Sequence, residues 1–305
     1  MYEPYCFLTL QNQYKKPMNH NFAIIMAGGL GSRFWPTSTS HKPKQFLDVL
    51  NTGETLLQQT FRRVSLTIPK KNILIVTKSD YLNFCLDQLP EINKENIICE
   101  PLRRNTAPCI ALAAVKLKKI DPLANFIVTP ADHLVTNESE FKRIIQLGLS
   151  VTAENNILLT LGISPNKPET GYGYIQFKKE ENSFNTEIKT VKTFTEKPEL
   201  ELAKSFLETG EFLWNSGIFI WNANSILSAF EKHMPEMYSL FEDGWNDINS
   251  DNEKAFLETI YPHCPNESID YGILEKSSQV YVLKSDFGWS DLGSWGAIYS
   301  DQKKN

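Results

Sequence analysis

The strongest constraint on the fold is a regular alternation through the first half of the chain. Short apolar, mostly β-rich runs at Ile73–Thr77, Asn96–Cys99, Asn125–Thr129 and Ile157–Leu161 are separated by segments of helical spacing at Glu54–Leu66, Tyr81–Leu89, Ala107–Lys119 and Ser139–Thr152. Runs with no polar side need cover on both faces. The βαβα order therefore predicts an α/β fold, a Rossmann-like, mostly parallel sheet flanked by helices. Ala107–Lys119 gives the clearest helix signals, with Pro108 in its first turn and Lys116, Lys118 and Lys119 near its end.

An earlier run, Phe22–Met26, joins the same sheet and breaks into Ala27-Gly28-Gly29-Leu30-Gly31-Ser32-Arg33. Three glycines clear side chains away, so backbone N–H groups can approach a polyphosphate. Arg33 offers a fork of donors suited to phosphate oxygens, and Lys42-Pro43-Lys44-Gln45-Phe46 brings two further cations back. The segment is neither a P-loop, which needs a lysine directly after its last glycine, nor a dinucleotide fingerprint, which needs glycine where Phe34 stands. Trp35-Pro36-Thr37-Ser38 is also a poor start for the helix that fingerprint requires. In open α/β sheets ligands gather beyond the carboxyl ends of the strands. The glycine loop, the Glu100–Pro108 segment and Asp132 each follow a predicted strand, so they should meet along one edge.

From residue 165 the pattern changes to Gly/Pro/Asn-punctuated strands (Gly171–Phe177, Ile188–Phe194, Ile218–Trp221, Val280–Leu283) with helices near 199–208 and 223–233. The expected organisation is a single domain over 21–305. Residues 21–164 form its nucleotide-binding half and 165–305 a mixed α+β half. Residues 1–20 read as a tail, disordered or upstream of the true start, with Met18 a candidate initiator.

A net charge of −5 provides no basic face for nucleic acid, so anion binding must rest on a few placed cations. The five cysteines are scattered without a C-x-x-C pair and read as reduced core residues of a cytoplasmic protein. No apolar stretch reaches the roughly 18 residues of a membrane span, and the first twenty residues do not resemble a signal peptide.

GGLGSRFWP…KPKQF resembles the signature of the sugar-1-phosphate nucleotidyltransferases, in the form typical of mannose-1-phosphate guanylyltransferases. Further blocks match in order: Glu100-Pro101-Leu102-Arg103-Arg104-Asn105-Thr106-Ala107-Pro108, Pro130-Ala131-Asp132-His133, Thr170-Gly171-Tyr172-Gly173-Tyr174-Ile175, Thr195-Glu196-Lys197-Pro198, Trp214-Asn215-Ser216-Gly217-Ile218-Phe219 and Trp289-Ser290-Asp291-Leu292-Gly293-Ser294-Trp295. Together they cover roughly residues 22–297.

The resemblance implies a nucleotide-diphospho-sugar transferase type of fold whose second half binds the sugar. It implies transfer of GMP from GTP to mannose 1-phosphate, giving GDP-mannose and pyrophosphate, with Mg²⁺. The attacking phosphate is already charged at neutral pH, so the chemistry asks for cations and positioning, not a general base. Lys44 is expected at the α-phosphate and Arg33 on the β- and γ-phosphates. Ala27, Gly28, Gly29, Gly31 and Ser32 form the phosphate cradle. Glu100, with Arg104, Asn105 and Thr106, is expected near the base, where a carboxylate could accept from guanine; Arg104 could instead bind phosphate. Asp132 and Asp291 are the expected metal ligands, and His133 reads as a hydrogen-bonded structural histidine. Lys197 is expected to hold the sugar phosphate, with Glu196, Asn215, Ser216, Gly171, Tyr172 and Gly173 around the hexose. The alternatives are the same chemistry on another hexose or heptose 1-phosphate, and a non-catalytic sugar-nucleotide-binding regulatory paralogue. A homodimer is one expectation. Relatives often continue past the WSDLGSW block, some into a sugar-isomerase domain; this chain stops ten residues after Trp295, so isomerase activity is not expected.

Overall fold

The computed structural model describes residues 20–29, 37–180 and 185–292. In chain order the elements are β1 (Asn21–Met26), α1 (Leu56–Ser65), β2 (Ile73–Lys78), α2 (Leu82–Gln88), β3 (Ile97–Glu100), α3 (Thr106–Ile120), β4 (Asn125–Pro130), β5 (Leu134–Val135) and α4 (Glu138–Glu154). There follow β6 (Leu158–Ile163), β7 (Gly173–Phe177), β8 (Ile188–Glu196), α5 (Leu200–Thr209), β9 (Phe212–Asn222), α6 (Ala223–His233), α7 (Pro235–Asp243), α8 (Glu253–Ile260), β10 (Val280–Ser285) and β11 (Trp289–Ser290).

Strands β3-β2-β1-β4 pair in parallel, as the alternation predicts. Period-2 side-chain direction splits their apolar residues into two layers. Ile24, Leu74, Val76, Phe126 and Val128 pack with α3 and α6 on one face. Ala23, Ile25, Ile73, Ile75 and Ile127 pack with α1, α2 and α4 on the other. Sequence-coded caps set the helix starts. Thr55 and Gln58 form a capping box on α1, and the side chains of Asn137 and Asn222 accept from the first turns of α4 and α6.

Beyond β4 the sheet departs from the expected parallel order. The long β9 enters antiparallel between β4 and β6, and β10 pairs β6 in parallel. The first residues of β9 pair with β7, and β7, β8 and β10 pair in turn, so β9-β6-β10-β8-β7 returns upon β9. Strands from both halves thus share one nine-stranded sheet.

Candidate active site

The turn after β1 is held from beneath. The Ala27 amide donates to the Val76 carbonyl (2.8 Å), continuing the β1–β2 ladder by one residue. The Ala27 carbonyl accepts from Thr77 Oγ1 and Gln45 Nε2, both at 2.9 Å, and Gln45 Nε2 also donates to the Gly29 carbonyl at 3.0 Å. Pro43, with φ fixed at −65°, opens the short 3-10 turn Lys44–Phe46, and Phe46 anchors it by packing on Tyr81 and Phe84. The lysine-rich block therefore braces the glycine turn through Gln45, a buried residue not among the expected site residues. Arg33, Gly31 and Ser32 lie outside the described residues.

Asp132 stands just past β4. The neighbouring Ala131 amide donates to the Met26 carbonyl (3.0 Å), extending the parallel ladder to its edge. Thr60 of α1 donates to the Ala131 carbonyl at 3.3 Å. The small antiparallel pair β5–β11, in register Trp289↔Val135 and Ser290↔Leu134, carries Asp291 back to the Asp132–His133 turn across more than 150 residues of sequence. Lys44 joins the two segments: its Nζ donates to Asp132 Oδ2 (3.2 Å) and to the main-chain carbonyl of Asp291 (2.6 Å). The Asp291 carboxylate accepts from the Tyr172 hydroxyl at 2.7 Å. The lysine side chain is 4% exposed, the Asp132 side chain 34%. Burial works against the charge on Asp132, but the Lys44 ammonium, aided by His133, outweighs it and holds the carboxyl below its usual range. Trp289 Nε1 donates to His133 Nδ1 (3.2 Å), which puts the proton of a neutral imidazole on Nε2, 3.9 Å from Asp132 Oδ1; burial lowers the histidine's pKa and favours that neutral form.

Gly28, Gly29, Glu100, Asn105, Thr106 and Asp132 line one cavity of about 540 Å³ beyond the carboxyl ends of β1, β3 and β4. The three post-strand segments meet along one edge, as expected. Glu100 is buried with Oε1 accepting from the Tyr261 hydroxyl (3.1 Å), and burial pushes its pKa up to about 7. Arg104 also lines the cavity, but its Nε and Nη2 donate to the Tyr261 and Pro262 carbonyls at 3.1 and 2.9 Å. It fixes the Tyr261 turn behind Glu100. Asn105, at φ 66°, caps α3, and the Thr106 hydroxyl accepts from the Ile269 amide at 2.8 Å.

The expected sugar residues gather around the other end of Tyr172, whose ring packs edge-on against both Trp214 and Trp289 (centroids 5.1 Å). Gly173 pairs with Glu196 across β7–β8, and a Cβ on it would come within 2.5 Å of Glu196 Oε2. Lys197 takes φ 46°, uncommon for a side chain of its kind, and pairs with Glu196. Gly171 lies in the loop before them, its amide donating to Glu169 (3.2 Å). Asn215 donates to Asp270 at 2.7 Å. The Ser216 hydroxyl is buried and donates to the Leu161 carbonyl (2.7 Å), which holds the turn.

Asp132 and Asp291 carry hard oxygen donors on segments that Lys44 joins, and donors of this kind suit a divalent cation of the Mg²⁺ type. Among the described residues no group of three or more His, Cys, Asp or Glu side chains is placed to hold a metal ion. Two carboxylates leave the remaining positions to water and phosphate oxygens, as Mg²⁺ prefers. Cys85, Cys109 and Cys264 are buried and free, with burial raising each thiol's pKa. No helix among the described residues is long and apolar enough to cross a membrane.

A glycine turn, a bridging lysine and two aspartate-bearing segments thus stand at the carboxyl edge of the sheet, and residues 22–305 match the nucleotidyl transferase family model. The chain belongs to that family, whose members generally use a divalent metal. It is 37% identical over 290 residues to the mannose-1-phosphate guanylyltransferase of Escherichia coli K12, covering 91% of this chain and 59% of that one. The chain spans about three fifths of the length of the curated relatives it matches. A Thermus thermophilus structure described as mannose-1-phosphate geranyltransferase superposes with a TM-score of 0.81 at 30% identity, over 92% of this chain and 80% of that one. A Helicobacter pylori structure described as mannose-6-phosphate isomerase gives 0.71 at 25% identity, over 88% and 99%.

Proposed function

We propose that this protein transfers GMP from GTP to mannose 1-phosphate, releasing pyrophosphate and forming GDP-mannose. The single observation that carries the reading is the Lys44 bridge to the Asp291 segment from Asp132, a residue that lines the glycine-bordered cavity. It sets a buried cation beside the Asp132 carboxylate and ties the Asp291 segment to the same point, where two polyanions must meet. A phosphate oxygen of the sugar attacks the α-phosphorus in line, and pyrophosphate leaves; no proton need be removed, since the second phosphate pKa lies near ~6.

In this reading Lys44 faces the α-phosphate, where negative charge accumulates, and Arg33 clamps the β- and γ-phosphates. The backbone from Ala27 to Ser32 cradles the triphosphate. Glu100 accepts from guanine N1–H and the N2 amine, with Asn105 and Thr106 beside the nucleoside and Arg104 behind them. Lys197 takes the sugar phosphate, and Glu196, Asn215 and the Gly171–Gly173 segment face the hexose. Asp132 and Asp291 hold Mg²⁺, which when bound neutralises charge between the reacting phosphates. The matching relatives named mannose-1-phosphate guanylyltransferase support the choice of base and sugar.

The test is pyrophosphate release from purified protein with GTP, mannose 1-phosphate and Mg²⁺, run against a panel of other nucleoside triphosphates and sugar phosphates. Release that requires all three components is expected. No release with any pair, beside tight binding of GDP-mannose, would instead support a regulatory paralogue.

A further inference from the structure

Asp270 belongs to none of the sequence blocks described above, yet it is built into the sugar half. It opens a π-helical turn, Asp270–Leu274, an element that recurs at functional sites because its extra residue displaces a side chain from regular helical register. Its Oδ1 accepts from Asn215 Nδ2 at 2.7 Å. The other side of the same amide is also occupied, with Asn215 Oδ1 accepting from the Gly217 amide (3.2 Å) and the Thr160 hydroxyl (3.3 Å). These contacts fix which way the amide faces: oxygen toward β6 and the turn, nitrogen toward Asp270. An Asn side chain has two N–H donors, and Asp270 uses one. The π-helical turn is itself moored to the nucleotide half. The Ile269 amide donates to Thr106 Oγ1 (2.8 Å), and the Ala107 amide to the Glu267 carbonyl (3.1 Å), both at the start of α3.

We propose that Asp270 is the positioning residue of the hexose pocket: it holds the Asn215 amide so that the second N–H of Nδ2 points at a sugar hydroxyl, beside the carboxylate of Glu196. The inference rests on the functional reading above, since it needs a hexose in that pocket. A hydroxyl accepting from Asn215 can donate to a neighbouring carboxylate, so the arrangement reads both hydrogen-bonding faces of one hydroxyl group. Inverting that carbon breaks one of the two bonds, which is how epimers are told apart. Without Asp270 the nitrogen side of the amide loses its anchor, and the donor that faces the pocket loses its aim.

The experiment compares Asp270→Ala with Asp270→Asn, in which an amide oxygen can still accept from Asn215. In pyrophosphate-release assays the Ala variant should raise KM for mannose 1-phosphate about tenfold or more, and reduce its preference over glucose 1-phosphate. KM for GTP should stay within about threefold of wild type. The Asn variant should restore the sugar KM to within about threefold. Equal loss toward both substrates, or an unchanged sugar KM in the Ala variant, would overturn the proposal. If wild-type protein shows no transfer with any sugar phosphate, the functional reading fails instead. A crystal structure of Asp270→Ala then decides the positioning claim by itself: the Asn215 amide should be turned or displaced, and an unmoved amide refutes it.

Discussion

Lys44 is a cation that two acidic segments share, and its removal is the sharpest test at the scale of single residues. Lys44→Ala would leave the Asp132 carboxylate without the ammonium that stabilises its charge and would remove its hydrogen-bonded link to the Asp291 backbone. We expect kcat for pyrophosphate release to fall by roughly two to three orders of magnitude, the scale on which placed electrostatic groups act on a transition state. Circular dichroism should show the fold retained; near-normal turnover in a folded variant would remove Lys44 from the chemistry. Glu100 gives a pH signature. Its pKa is raised from the free-carboxyl value of 4.5 to about 7, chiefly by burial. The folded state therefore keeps a proton that the unfolded chain gives up. Its stabilising effect is complete below pH ~4.5 and is lost as pH rises through ~7. Glu100→Gln cannot ionise, while its amide oxygen can still accept from Tyr261. Between pH 5 and 8, wild type should lose on the order of 3 kcal/mol more than this variant in chemical denaturation, at about 1.4 kcal/mol for each tenfold change in the proton equilibrium. Matching pH slopes in the two proteins would dismiss the buried-carboxyl account. The variant should also discriminate less between GTP and other triphosphates.

Elements decide which side chains meet, and here the sequence was only partly legible. Strands β1 to β4 and their helices announced themselves because each apolar run is local, and the cavity edge followed from what stands after each strand. Asp270, Tyr261 and Gln45 gave no such signal. Their partners, Asn215, Glu100 and Ala27, lie 55, 161 and 18 residues away, and no periodicity encodes that pairing. The two-residue strands β5 and β11 are too short for a pattern to register, yet they carry Asp291 to Asp132. The antiparallel entry of β9 also stayed hidden, since Phe219–Trp221 is apolar in either orientation. One pair of strands supports a direct test. Gly173→Ala places a methyl where Glu196 Oε2 now lies, 2.5 Å away, so either the carboxylate or β7 must shift. The fold should survive, because the obstructing atom is the end of a flexible side chain. KM for the sugar phosphate should rise about tenfold with KM for GTP nearly unchanged. A variant with both constants at wild-type values would place Glu196 outside the sugar pocket.

At the scale of the molecule, the two halves are joined by more than a shared sheet. On one side runs Tyr172–Asp291–Lys44–Asp132; on the other, Thr106 accepts from the Ile269 amide beside Asp270. The two halves are thus braced against each other through hydrogen bonds on both flanks. Breaking either flank forfeits bonds that each half makes only with the other, so one half should not open while the other stays closed. The chain carries its own reporters for this. Of its six tryptophans only Trp35 lies before residue 165, whereas α1 to α4 all precede it. Tryptophan fluorescence therefore follows the second half, whereas far-UV circular dichroism reads the helices of both, α1 to α4 in the first and α5 to α8 in the second. We expect the two urea transitions to coincide, with one midpoint and one slope. Addition of GTP should shift both by the same amount, because a ligand held by the first half stabilises whatever unfolds with it. Thr106→Val, which removes the acceptor for Ile269, should lower the common midpoint and leave the transitions superimposed. Two steps in the circular dichroism of the wild type, with fluorescence following only one of them and GTP moving only the other, would mean that the halves are independent units bridged by weak contacts.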